Sequence, residues 1–258
     1  MAAHENSAVA VMKRLLLLAA LLFLAHPARA EPPAALCPEA KKDLSADPQF
    51  AAEVAAVFGK AKFGGAETDC LYPLKALRYA SADVLLVQEG APGEGCHGCE
   101  APLSAYVIQR IGGGLKTVAK FHEFTQLGAF STLIDVWPIE IAGDDAIAIE
   151  SAWMSQGYSS SYLELFAFRA SALVDLGPEP KVVLTADNGG VSEDTSKAIV
   201  VAGSWFFDPT DKSALVVDYK IEAKGGTRVE RVVWRLQGGK LVLARGRVPP
   251  DVNQASGK

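Results

Sequence analysis

The residues of this chain best placed for chemistry are Cys96, His97 and Cys99, set in one short loop, and His122 farther along. Each chemistry that could use them makes a testable demand on the neighbouring sequence. Attachment of a c-type haem needs a histidine directly after the second cysteine, and here that position is Glu100. A thioredoxin-like pair needs a helix N-terminus to depress the attacking thiol, but Pro102 and the strand-like run 103–108 follow instead. A zinc site could draw on Cys96, His97, Cys99 and His122. However, adjacent Cys96 and His97 rarely reach the same ion, and no second C-x-x-C completes a four-sulfur set. The expectation is therefore a structural Cys96–Cys99 disulfide, with no metal and no cofactor.

Other catalytic signatures are missing. The sequence has no G-x-S-x-G elbow, no phosphate-binding P-loop, no H-E-x-x-H and no EF-hand loop. No set of residues is therefore assigned as catalytic. Gly143-Asp144-Asp145 and Asp208-Pro209-Thr210-Asp211 resemble calcium turns but offer too few alternating oxygens; aspartates capping β-turns are the simpler reading. Arg228, Arg231 and Arg235 do not form one basic stripe. On a strand, Arg231 and Arg235 share a face, whereas Arg228 points to the other side, where Glu230 can pair with it. The strongest recognition signal is the stretch 153–162, where Trp153, Tyr158 and Tyr162 stand among serines and a glycine. Flat rings beside hydroxyl groups suit a carbohydrate, a peptide or a protein surface.

These residues need a compartment and a scaffold. Lys13-Arg14, an apolar run over 15–25 and the small-residue site Ala28-Arg29-Ala30 have the three parts of a secretory signal peptide. The apolar run is too short for the roughly twenty residues a spanning helix requires. Residues 1–11 are unlike a signal n-region, so Met12 is the expected start of the precursor. Cleavage after Ala30 would remove Lys13, Arg14 and Arg29 against Glu5, taking the formal charge from −5 to −7. That acidity argues against nucleic acid as a partner. In an oxidising periplasmic or extracellular setting, Cys37, Cys70, Cys96 and Cys99 imply two disulfides, with Cys37–Cys70 and Cys96–Cys99 the favoured pairing.

The predicted scaffold is mainly antiparallel β with one N-terminal amphipathic helix. Asp47-Pro48 opens that helix over 48–62, and Phe50, Val54, Val57, Phe58 and Ala61 mark its apolar stripe. Residues 31–70 form the helix-containing segment, 71–245 the β domain and 246–258 a flexible tail. Within the β domain, meanders recur at about 71–120, 130–177 and 197–245. The last two align without a gap at an offset of 68, placing Trp137 on Trp205 and Phe166 on Trp234. Such periodicity predicts a propeller-like or stacked-sheet architecture, with a β-sandwich as the alternative. Together these features predict an exported, non-enzymatic binding or envelope-associated module. The competing class is an exported hydrolase or a thiol–disulfide protein using Cys96 and Cys99.

Overall fold

The computed structural model describes residues 35–64, 70–93, 100–128, 133–169, 172–191 and 197–257. The Cys96–Cys99 pair, His97 and the signal-peptide expectation lie outside these residues. The first described elements are helices α1 (Ala40–Ala46) and α2 (Pro48–Phe58). Asp47 caps α2 as its sequence position predicts: its carboxylate accepts the amide hydrogens of Gln49 and Phe50 at 2.9 and 3.0 Å. Pro48 takes the first helical position, where its missing N–H costs nothing. The helix ends at Phe58, four residues before the predicted end, and Gly59 follows it with φ +63°. The short α1 was not foreseen because it buries only Ala40 and so carries no apolar stripe. Cys37 and Cys70 form the favoured disulfide, which ties the start of this helical layer to the first strand.

Thirteen strands follow among the described residues. The first four are β1 (Leu71–Arg78), β2 (Asp83–Glu89), β3 (Ala101–Ile111) and β4 (Gly114–Leu127). They are succeeded by β5 (Leu133–Ile141), β6 (Asp144–Ser155), β7 (Tyr158–Arg169) and β8 (Ala172–Asp175). The last five are β9 (Val182–Asp187), β10 (Val200–Asp208), β11 (Asp211–Ala223), β12 (Gly226–Gln237) and β13 (Lys240–Arg245). All of these strands pair antiparallel, β1–β4 in a four-stranded sheet and the rest in a nine-stranded one. Two-residue turns connect several neighbours. At Gln156-Gly157 both residues have positive φ, +49° and +82°, the geometry that matches the twist of a tight hairpin.

Three cores lie between layers. Phe50 and Val54 of α2 pack on Leu85, Val87, Tyr106 and Ile108 of the first sheet. The opposite face of that sheet, with Val84, Leu86 and Leu103, packs on Ile147, Ile149 and Phe166 of β6 and β7. The other side of β6, at Ala146 and Ala148, joins Leu215, Val217 and Trp234 of β11 and β12 in the largest core. The sheets are thus stacked, and neither closes into a barrel or a propeller ring among the described residues. Two features account for the difference from the propeller-like expectation. Helix α2 covers the face of β2 and β3 that a closing sheet would need. In addition, β9 bridges β7 to β10 and makes one continuous sheet.

Register modifies the alignment of the tryptophans. The pairs Ile147–Phe166 and Leu215–Trp234 are equivalent at the offset of 68. The preceding strand slips by one residue, so that Trp137 lies opposite Ala148 whereas Trp205 lies opposite Val217. A slip of one residue turns a side chain to the other face of its sheet. The two rings therefore meet across the core, edge to face, with centroids 5.4 Å apart.

The stretch read as a flexible tail instead carries helix α3 (Pro250–Ala255), whose Val252 and Ala255 are fully buried in the largest core. Spacing of three residues places both on one side of the helix. No helix among the described residues is long and apolar enough to cross a membrane.

On the outer face of β11 and β12, Arg231 bonds both oxygens of Asp218 at 2.6 Å. These bonds hold the Asp218 carboxyl below the usual range. Their contribution to stability is therefore present above about pH 4, the unfolded carboxylate value, and lost as pH falls through the lower folded value. Urea midpoints measured at pH 5 and pH 3 should differ less for Asp218→Asn than for the parent protein. An equal drop in both would show that this pair contributes nothing to acid sensitivity.

Candidate functional site

The hairpin of β6 and β7 sets the aromatic residues singled out above. Trp153 lies opposite Ser160, and Ser151 lies opposite Tyr162. Directly opposed residues share a face of an antiparallel pair, so both rings project to the same side with serines between them. Trp153 and Tyr162 are half-buried. They form one wall of a groove of about 340 Å³, faced by Glu100, Gln126, Lys181 and the C-terminal Ser256 and Gly257. That volume falls at the lower end of the range for small-molecule sites, about 300–1,000 Å³.

The end of β4 closes the groove on one side because Gly128 lies directly against the backbone of β6. A Cβ on Gly128 would stand 1.9 Å from the Ala152 carbonyl oxygen. Beneath the groove, buried Glu164 accepts hydrogen bonds from Lys181 at 2.6 Å and Thr125 at 3.3 Å. Lys181 thus offsets the charge of a carboxylate that has only 8% of its side chain exposed, while its own side chain remains 52% exposed. One carboxylate, Glu100, lines the groove among the described residues.

Tyr158 does not line this groove. A Cβ on Gly257 would sit 3.2 Å from its ring, so the C-terminal segment rests on Tyr158 and completes the groove edge beside it. Sequence reasoning found Trp153 and Tyr162 but missed Lys181, Glu164, Gln126 and the C-terminal residues. These come from distant parts of the chain, and none carries a local motif. A larger depression of about 450 Å³ lies between Pro178–Lys181, β13 and α3. Its walls combine apolar Tyr219, Trp234, Leu241 and Val252 with Glu179, Lys181 and Lys240.

The remaining sequence candidates resolve into structural roles or lie elsewhere. Asp208 accepts from the amide and hydroxyl of Thr210, and Asp211 does the same with Ser213. Asp144 is paired with Arg169 at 2.8 Å. These carboxylates are committed to turns and ion pairs, in keeping with the simpler reading. Arg228 bonds Glu230 and Asp251, while Arg235 reaches Asp211, so the arginines are neutralised one by one. His122 stands beside Glu123 on β4.

Fold and site together define a mainly antiparallel β protein with a disulfide-anchored helical layer and an aromatic, charge-lined groove. No protein-family model, curated protein or solved structure matches the chain.

Proposed function

We propose that this protein is an exported, non-enzymatic binding module whose groove at Trp153 and Tyr162 receives a short polar ligand, a carbohydrate in the first instance. The supporting observation is the convergence of two half-buried rings with a carboxylate, an amide and an ammonium group around one depression. Rings offer a flat apolar surface to the face of a sugar, and polar groups around them fix its hydroxyls. Export rests on the charged, apolar and small-residue segments of 1–30, and places the site in the periplasm or outside the cell.

The scaffold reading that accompanies this proposal is a threefold repetition of a four-stranded meander: β1–β4, β5–β8 and β10–β13. Its support is the shared register of β6–β7 and β11–β12 at the 68-residue offset. Stacked meanders give the groove a rigid base, and connecting segments supply its rim.

Calorimetric titration with a panel of soluble oligosaccharides and short peptides tests the assignment. Trp153→Ala is expected to weaken the best ligand by about thirtyfold, corresponding to about 2 kcal/mol for a central aromatic anchor. Cys96→Ser/Cys99→Ser should leave that affinity unchanged. Loss of binding in the cysteine variant, with Trp153→Ala unaffected, would support the thiol-based alternative instead.

A further inference from the structure

We infer that Glu89, His122 and Glu123 form a binding site for a first-row divalent cation of the Zn2+ type. Their donor atoms all lie within 4.8 Å of one another. The Nδ1 of His122 and Oε1 of Glu123 are 3.0 Å apart. Donors about 2.1 Å from a tetrahedral Zn2+ stand about 3.4 Å apart, so this imidazole–carboxylate contact has to open by only a few tenths of an ångström to admit an ion.

The backbone explains how neighbouring residues reach one point. In a regular strand, His122 and Glu123 would project to opposite faces. Here β4 is irregular where β3 passes from Leu103 to Ala105. Glu123 adopts φ +44°, a conformation uncommon for a residue with a side chain. The hydroxyl of buried Ser104 accepts its amide hydrogen at 3.0 Å and holds it there. Bulges of this kind redirect side chains and gather at functional sites.

Charge points the same way. Among the described residues, neither Glu89 nor Glu123 has an arginine or lysine partner; Glu123 is paired only with His122. Two carboxylates and a neutral imidazole carry the charge that a divalent ion cancels. The imidazole favours Zn2+, Fe2+ or Ni2+ over the all-oxygen preference of Ca2+ and Mg2+. His122 and Glu123 have about half of their side-chain surface exposed, 52% and 47%. An ion could therefore enter from solvent, and the coordination positions left over would face outward.

The test is titration of the full chain, freed of metal by chelation, with Zn2+ by calorimetry and with Co2+ by its visible spectrum. One ion per chain should bind saturably, and the His122 Nδ1 resonance should shift on addition of Zn2+. His122→Ala and Glu89→Gln should each weaken binding by at least about tenfold, with an unchanged far-ultraviolet spectrum. Cys96→Ser/Cys99→Ser should leave the affinity unaltered. Absence of saturable binding, or binding that survives His122→Ala and disappears with the cysteines, would overturn the assignment.

Discussion

Gly128→Ala is expected to lower the melting temperature by about 6–12 °C. The new Cβ would lie 1.9 Å from the Ala152 carbonyl oxygen, a backbone atom that cannot rotate away. Either the end of β4 or the middle of β6 must move. Overpacking of a rigid contact costs about 3 kcal/mol at its upper end. For a domain of this size, that energy corresponds to the stated temperature change. The effect should also reach function, because Gly128 lines the groove beside Trp153. Calorimetric melting and ligand titration on the same sample test both consequences. A variant that melts with the parent protein would mean that β4 and β6 are not in direct contact at this point.

Replacing Cys37 and Cys70 together by alanine is expected to cost about 3.5–4 kcal/mol, the chain-entropy value for a loop of this length. The bridge spans 33 residues of sequence. Its two cysteines are buried with Ala91 in a small cluster of their own. The same junction holds Leu36 in bridges to Phe63 and Leu71, and so brings the start of the helical layer to β1. Without the disulfide, α1 and α2 should open before the sheets unfold, exposing Leu85 and Val87. Hydrogen exchange would then rise first in α2, with the largest core still protected. Uniform loss of protection across both sheets would show that the helical layer and the sheets unfold as one unit.

Those features of the fold that depend on neighbours in sequence could be read from the sequence. Asp47-Pro48 announces α2 because capping involves residues two and three positions away. The shared face of Arg231 and Arg235 follows from strand periodicity alone. Features set by distant contacts were not legible. The run Val182-Val183-Leu184 is apolar, but nothing local says that it bridges β7 to β10. Residues 250–255 look like a polar tail, and only burial of Val252 and Ala255 against the largest core makes them a fixed helix.

The same division applies to the groove and to the metal-ligand cluster. Trp153 and Tyr162 stood out by type and spacing, while Lys181 and Glu164 became relevant only through a 2.6 Å bond between them. His122 was noticed as a rare residue. Its convergence with Glu89 depends on three strands and on the unusual backbone of Glu123. The one-residue slip before Trp205 is invisible to a gapless alignment, since both candidate registers preserve the alternation of apolar residues.

The central claim is that the groove beside Trp153 is where this protein meets its ligand. Its most direct test follows the side-chain indole N–H resonances of the four tryptophans during titration with the oligosaccharide and peptide panel. The account predicts a saturable shift of the Trp153 indole with one class of ligand, while the Trp137 and Trp205 signals, which do not line the groove, stay in place. Saturable binding that moves other resonances and leaves Trp153 untouched would contradict it.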